Sequence, residues 1–198
     1  MKLDRRFLLG LCLCLCLGLS VSVAASDGPL KIAGISFERQ MRVAGVDLRL
    51  NGVGARGWFK AYVAGLYLTA PAANAADAVV LAGPKRLRMR LRFDVPAGEF
   101  VKALRQGMTR NVAPPVAEQL AGRIERFAAA VAVLGTVHDG DLIDLDFEPG
   151  RGMTFTLNGK LRGDAIDGED FYGALLRAFI GDHPYDEKLK AGLLGQAP

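Results

Sequence analysis

Apolar and basic residues alternate strictly over residues 85–93, Lys-Arg-Leu-Arg-Met-Arg-Leu-Arg-Phe. The apolar positions are Leu87, Met89, Leu91 and Phe93, and the basic positions between them are Arg86, Arg88, Arg90 and Arg92. Successive side chains point to opposite faces of a β-strand, so a period of two predicts a strand. We expect one face of this strand to lie in the core and the other to carry arginine.

A second alternating segment, predicted as a strand over residues 141–147, has acids where the first has arginines. The acidic positions are Asp144, Asp146 and Glu148, between Ile143, Leu145 and Phe147. Opposite charges on neighbouring strands stabilise a sheet, so we expect the arginines and acids to pair. The arginines could instead bind nucleic acid, and the acids a cation. Calcium loops, however, take their ligands from turns with a glycine at a set position, and the sequence contains no such loop.

Helical periodicity marks five further segments. The first predicted helix covers residues 75–82, and the second begins at Pro96 with Phe100, Leu104, Gly107 and Met108 on one face. A longer helix follows Pro114 and ends at Gly135. The fourth is capped by Asp167 and ends at Gly181, and a last short helix runs through Leu189 and Leu193. Other predicted strands are 30–37, 41–50, 58–68, 152–157 and 160–163, with turns at Gly45, Pro149-Gly150 and Asn158-Gly159. This order predicts an α+β fold, with one large, mostly antiparallel sheet backed by a layer of helices.

The first 25 residues are typical of a secretory signal peptide. A basic start (Lys2, Arg5, Arg6) precedes an apolar stretch over residues 7–19 and the small residues Val23-Ala24-Ala25. The apolar stretch is shorter than the ~20 residues that a membrane-spanning helix needs, so cleavage near Ala25 is favoured over a retained anchor. We expect a periplasmic or secreted protein with no membrane span after cleavage.

Composition limits the chemistry of the remaining domain, residues 26–198. All three cysteines (Cys12, Cys14, Cys16) lie in the leader, so no disulfide, zinc–thiolate site or cysteine nucleophile is expected in the processed chain. The leader also holds three Lys or Arg and one Asp, which account for two of the four net positive charges. The remainder is close to neutral and gives no general case for nucleic-acid binding. We expect a single monomeric domain without cofactor or metal.

Only His138 and His183 could titrate near neutral pH. His138 lies in a polar loop, and His183 precedes a proline after a predicted helix end, so both positions are typical of surface histidines. The serines after the leader, Ser26 and Ser36, lie neither in a nucleophile elbow nor next to a histidine. These features disfavour serine, cysteine and zinc hydrolases.

The best candidate for a binding site lies within residues 49–69. Three glycines interrupt an alternating pattern there: Gly52, Gly54 and Gly57. Glycine permits a sharp turn and a close approach of the backbone to a ligand. Arg56, inside this break, offers a planar set of donors to an anionic or carbonyl oxygen. We expect the mouth of a binding site here, with Tyr62 and Tyr67 as hydroxyl partners.

Residues 52–57, Gly-Val-Gly-Ala-Arg-Gly, also match the GxGxxG dinucleotide pattern. That pattern binds pyrophosphate only between a strand and a helix N-terminus. Residues 58–63, Trp-Phe-Lys-Ala-Tyr-Val, are instead typical of a strand. The context therefore disfavours a dinucleotide site.

The same residues resemble the chalcone isomerase superfamily, most closely its bacterial chalcone-isomerase-like branch. The resemblance rests on residues 52–57, on residues 60–68 (Lys-Ala-Tyr-Val-Ala-Gly-Leu-Tyr-Leu), and on residues 175–184, which are similar to the family's closing helix and Ile-Gly turn. It extends over residues 45–195. It implies a large antiparallel sheet backed by helices, with a ligand cleft between the two layers.

The superfamily contains both enzymes and binding proteins. The resemblance implies that the arginine matching Arg56 steers a phenolate in the plant enzymes, which close a chalcone to a flavanone. Their other polar positions fall at Tyr62, Phe100, Gly107 and Ala178, which match poorly. Non-catalytic members bind fatty acids and pair the arginine with a tyrosine in a Lys-x-Tyr context, which Lys60-Ala61-Tyr62 matches.

The favoured hypothesis is a protein that binds a fatty acid or a similar small apolar ligand, such as a polyphenol-like compound, without catalytic residues. The expected ligand-binding residues are Arg56, Tyr62, Tyr67, Phe100, Leu104, Gly107 and Phe179. One alternative is an intramolecular lyase that uses Arg56 alone. Another is an interaction protein whose cleft is closed and packed. Arg56 could also be structural and pair with Asp164 or Glu169.

Overall fold

The computed structural model describes residues 28–56 and 61–196 of the 198-residue chain. The signal peptide predicted for residues 1–25 lies outside the described residues. Within them, no helix is long and apolar enough to cross a membrane. The same residues contain no group of three or more His, Cys, Asp or Glu that could hold a metal ion.

Eleven strands and five helices make up the described part of the chain. The strands are β1 (Leu30–Ile32), β2 (Ile35–Phe37), β3 (Gln40–Val43), β4 (Val46–Ala55), β5 (Tyr62–Leu68), β6 (Lys85–Leu91), β7 (Val95–Pro96), β8 (Thr136–Val137), β9 (Leu142–Glu148), β10 (Gly152–Leu157) and β11 (Lys160–Leu161). The helices are α1 (Ala75–Val80), α2 (Ala97–Thr109), α3 (Pro114–Ala132), α4 (Glu169–Ile180) and α5 (Glu187–Leu193).

Seven strands form one antiparallel sheet in the order β11-β10-β9-β6-β5-β4-β3. The α+β prediction is therefore confirmed. Two predicted strands are each two strands in the structure, because the chain turns at Ala33-Gly34 and at Ala44-Gly45. All four turn residues have positive φ, so the chain reverses and forms the hairpins β1–β2 and β3–β4.

One face of the sheet is covered by helices. Side chains of β5 and β6 that point to this face include Leu66, Leu68, Leu87 and Met89, and all four are fully buried. Helix α4 lies at the centre of the helical layer, where it contacts α1, α2 and α5.

The start of α4 differs from the prediction that Asp167 caps this helix. Gly168 is the N-cap residue, and the Asp167 side chain accepts a hydrogen bond from Arg126 at 2.9 Å instead.

The opposite face of the sheet is half apolar and half charged. Over β4 and β5 it is apolar, and Phe37 of β2 packs directly on Gly65. Over β6 and β9 it carries two cross-strand ion pairs. Arg86 bonds Asp146 (Nε–Oδ1 2.6 Å), and Arg88 bonds Asp144 (2.7 and 2.8 Å). The prediction that these charges pair across strands is confirmed.

A β-bulge at Asn51 exchanges the two faces of β4. Leu50 pairs with Tyr67 but Gly52 pairs with Leu66, so Asn51 is an extra residue. One extra residue moves every later side chain to the other face of a strand. As a result Leu50 packs with the apolar cluster around Phe37, whereas Gly52 faces α5.

Candidate ligand-binding site

Arg56 lies at the end of β4, directly opposite the first residue of β5. Its backbone N–H donates to the Tyr62 carbonyl at 3.0 Å, and its own carbonyl accepts from Ala61 at 3.0 Å. Directly opposed residues of an antiparallel pair place their side chains side by side on one face. The backbone ladder therefore sets Arg56 beside Tyr62, on the face covered by helices.

Two tyrosine rings flank the Arg56 guanidinium. Its central carbon lies 5.7 Å from the centroid of the Tyr62 ring and 5.1 Å from that of Tyr185. Both distances fit a cation–π contact. The Arg56 guanidinium is also near enough to the Tyr62 hydroxyl to lower its pKa, against the larger rise caused by burial. Since arginine remains charged at all physiological pH values, this is a permanent cation held by aromatic faces.

Tyr185 comes from the connection between α4 and α5, and its ring fills a space beside α2. It meets the Phe179 ring edge to face, with centroids 4.9 Å apart and planes at 84°. A Cβ built on Gly107 would lie 2.5 Å from the Tyr185 hydroxyl oxygen and 2.6 Å from the ring. Real Cβ atoms do not approach so closely, so Gly107 is the residue that leaves room for Tyr185.

A dense set of hydrogen bonds fixes the turn that carries Tyr185. Arg110 donates to the carbonyls of His183 and Pro184, each at 3.0 Å. The Asn111 side chain accepts from the His183 N–H and donates to the His183 carbonyl, both at 2.8 Å. The Tyr185 N–H donates to the Ala178 carbonyl at 2.9 Å. His183 thus contributes its backbone to the site, and its side chain is exposed.

The glycines before Arg56 do not interrupt the strand. Strand β4 continues through Gly52 and Gly54, and neither has a positive φ. The expected break is therefore wrong at these two positions, and Gly57 lies outside the described residues. A Cβ on Gly52 would lie 2.6 Å from the Gly195 nitrogen, and one on Gly54 would lie 2.6 Å from the Leu189 carbonyl oxygen. The glycines allow α5 to pack directly on the strand backbone.

Asn51 holds the end of α5 in place. Its amide nitrogen donates to the Leu193 carbonyl at 2.8 Å and to the Ala72 carbonyl at 3.0 Å, and its oxygen accepts from the Ala72 N–H at 2.8 Å. At the other end of α5, Asp186 is the N-cap residue and accepts from the Leu189 N–H at 2.9 Å. The helix that follows Tyr185 is thus fixed at both ends.

The structure brings four of the predicted residues together. Tyr62 contacts Arg56, and Gly107 and Phe179 contact Tyr185, which itself lies against Arg56. Leu104 is buried and Phe100 half-buried in the same helix-side core. Tyr67 is a correction, because it belongs to the apolar cluster on the opposite face with Phe37 and Val63. Tyr67 is five positions after Tyr62 on one strand, and an odd offset puts the two side chains on opposite faces.

Sequence reasoning missed Tyr185. The signal that could have found it is Gly107, because a glycine inside a helix reduces stability relative to alanine and often indicates close packing by a neighbour. What remained unknown was which residue fills that space. The answer depends on how the His183-Pro184 turn folds back onto α2.

Burial keeps both hydroxyls at the site neutral. It raises the pKa of Tyr62 above the ordinary value of 10.0, while the nearby Arg56 lowers that pKa and Asp186 raises it further. The pKa of Tyr185 is also raised, first by burial and then by Tyr62, against a lowering by Arg56. At neutral pH the site therefore offers one guanidinium and two neutral hydroxyl groups as donors, close to the side chain of Asp186, and these donors suit an anionic oxygen.

A family model described as chalcone isomerase-like matches residues 29–195. No curated protein matches the sequence. Among solved structures, the fatty-acid binding protein AtFAP1 of Arabidopsis thaliana has a similar fold, with a TM-score of 0.65 at 15% identity. The alignment covers 84% of this chain and 95% of that one.

Proposed function

Since the chain belongs to the chalcone isomerase-like family, we propose that it is an exported, non-catalytic protein that binds a fatty acid or a similar apolar carboxylate. The observation that carries the proposal is Arg56, whose guanidinium lies against the rings of Tyr62 and Tyr185 and near the neutral Tyr62 hydroxyl. A carboxylate can accept two parallel hydrogen bonds from a guanidinium and a further one from a hydroxyl. The fold likeness to a fatty-acid binding protein supports the same ligand class.

The apolar tail of such a ligand would lie between the sheet and the helices. Leu104 and Phe179 are buried there, and Phe100 is half-buried. Burial of a tail of ten to twelve carbons would contribute roughly 8–9 kcal/mol gross, at ~0.8 kcal/mol per methylene. Most of the binding energy would thus come from the tail, and Arg56 would select the head group.

Arg56→Ala tests this proposal. Loss of one partner of a desolvated charge pair should weaken dodecanoate binding by about 2–5 kcal/mol. The melting temperature should change only modestly, because Arg56 directly follows strand β4 and a cation–π contact contributes about 0.5–1 kcal/mol at a partly exposed site. Isothermal titration calorimetry with dodecanoate and a thermal melt on the same samples measure both quantities. Arg42→Ala is the matched control, since Arg42 pairs with Asp47 and both side chains are about 70% exposed.

A large fall in melting temperature with unchanged affinity would instead make Arg56 a structural residue. Export is tested separately by cell fractionation. A processed protein that starts near Ser26 should appear in the periplasm, and an unprocessed cytosolic protein would contradict the proposal.

An intramolecular lyase is the less favoured function. Phe100, Gly107 and Ala178 carry no polar side chain at the positions that the family resemblance assigns to plant enzymes. One preorganised donor is worth about 2.7–4 kcal/mol in such a site. We therefore expect naringenin chalcone to cyclise at its solution rate in a spectrophotometric assay. A large rate enhancement that disappears in Arg56→Ala would show that the protein is an enzyme.

A further inference from the structure

Building on the proposed carboxylate-binding function, we propose that Tyr185 is a third head-group residue, whose hydroxyl donates a hydrogen bond to the carboxylate held by Arg56 and Tyr62. The connection between α4 and α5 would then determine which head groups the site accepts. Neither the family match nor the likeness to a solved structure assigns a role to this residue.

Tyr185 lies beside the same guanidinium as Tyr62. The Tyr185 ring lies closer to the Arg56 guanidinium than the Tyr62 ring does, at 5.1 Å against 5.7 Å. Tyr62 and Tyr185 are also near enough that the charge of one raises the pKa of the other. Both hydroxyls therefore belong to the surroundings of one guanidinium, where an oxyanion bound to Arg56 would be found.

Helix α2 leaves space for the Tyr185 hydroxyl at Gly107. The Tyr185 oxygen lies 2.5 Å from the point where a Cβ of residue 107 would be, and Gly107 is buried. A larger residue at 107 would push the ring out of its place. Gly98, on the same helix, has no atom within 4 Å of its built Cβ. Gly98 is exposed whereas Gly107 is buried, so Gly98→Ala controls for a glycine-to-alanine change in α2 that leaves Tyr185 in place.

The turn that carries Tyr185 is held rigidly. Arg110 and Asn111 hold the backbone of the preceding turn, and the Tyr185 N–H is bonded to α4. A ligand-contacting group with such support loses little freedom on binding, which increases affinity. The arrangement fits a donor that is held ready for a ligand.

The chemistry of the three groups selects a carboxylate. A guanidinium and two neutral hydroxyls can together donate several hydrogen bonds, and a carboxylate has about four acceptor positions on two oxygens. An alcohol has one oxygen and no charge, so it gains less from each donor. Removal of one donor should therefore weaken a carboxylate much more than an alcohol of the same chain length.

Tyr185→Phe tests the proposal, because it removes the hydroxyl and keeps the ring against Arg56 and Phe179. Calorimetry with dodecanoate and dodecan-1-ol on the purified wild type and variant should show dodecanoate weakened by about 10- to 100-fold and dodecan-1-ol by no more than a few fold. Gly107→Ala should weaken dodecanoate in the same way by displacing the ring, whereas Gly98→Ala should bind like the wild type. Gly107→Ala also serves as the test if Tyr185→Phe does not fold.

The remaining outcomes separate this inference from the function on which it rests. Unchanged dodecanoate affinity in Tyr185→Phe overturns the role of Tyr185 and leaves the Arg56–Tyr62 site in place. An equal loss for both ligands also overturns it, since Tyr185 would then act through packing. A wild-type protein that binds neither ligand overturns the proposed function together with this inference.

Discussion

The two faces of the central sheet use arginine in different ways. On the face opposite the helices, Arg86 and Arg88 each meet a carboxylate of the neighbouring strand β9. On the helix-covered face, Arg56 lies against the rings of Tyr62 and Tyr185. Arg86 and Arg88 thus have anionic partners within the sheet. Arg56 lies among aromatic rings and neutral hydroxyls, an arrangement that fits an anion supplied by a ligand.

Burial makes this difference important for stability. The Asp144 side chain is 7% exposed and that of Arg88 is 23% exposed. Removal of one partner from a buried ion pair leaves the other charge without compensation, which destabilises a protein strongly. The charged half of the sheet is therefore expected to maintain the fold, whereas Arg56 is expected to matter for binding.

Asp144→Ala should have the largest effect on stability, about 3–5 kcal/mol in the free energy of unfolding, because Arg88 loses its partner. Urea denaturation monitored by circular dichroism measures it. Asp47→Ala breaks an exposed pair and should cost no more than about 1 kcal/mol. The double variant Arg88→Leu/Asp144→Leu should recover much of the loss, since no buried charge is then left alone. Equal losses of unfolding free energy in Asp144→Ala and Asp47→Ala would show that burial does not make the Arg88–Asp144 pair more important than an exposed one.

Gly52→Ala should destabilise the protein by about 1–3 kcal/mol, because its Cβ would overlap backbone atoms of the α5 segment. It should also weaken dodecanoate binding, since α5 follows directly on Tyr185 and Asp186. Thermal melts and calorimetry measure the two effects. Gly122→Ala in α3 is the matched control, with no atom within 4 Å of its built Cβ. It should stabilise the protein by roughly 0.5–1 kcal/mol. A stable Gly52→Ala with normal binding would separate α5 from the site.

Alkaline titration should show the smallest effect and compares tyrosines on the two faces. Burial raises the pKa of Tyr67 to about 12, and it also raises those of Tyr62, Tyr172 and Tyr185. A folded-state pKa above the ordinary value of 10.0 contributes stability that is complete below pH 10 and is lost as the pH rises further. We therefore expect little tyrosinate absorbance at 295 nm at pH 10, followed by ionisation together with unfolding. A tyrosine that ionises near pH 10 in the native protein would show that its side chain is solvated.

Tyr67 shows how far strand periodicity could guide the search for the site. The sequence places Tyr62 and Tyr67 on one predicted strand, and the odd spacing alone puts them on opposite faces. The Tyr67 hydroxyl has no hydrogen-bond partner within the described residues and lies near the charges of Arg88 and Asp144. Tyr67 was expected at the site because it is close to Tyr62 in sequence. The register of β5 against β6 instead pairs Tyr67 with Arg86 and Tyr62 with Leu91.

The sequence by itself determined the α+β class, the pairing of the arginine and acidic strands, and the proximity of Arg56 to Tyr62. The first two follow from the periodicity and charge of single segments, and the third follows from closeness along the chain. Only the tertiary structure decided why Gly52 and Gly54 are glycine and that Tyr185 joins Arg56. The bulge at Asn51 turns those glycines toward α5, and the turn at His183 brings Tyr185 onto Gly107. Such contacts join residues far apart in the chain, and they form only when whole elements pack together.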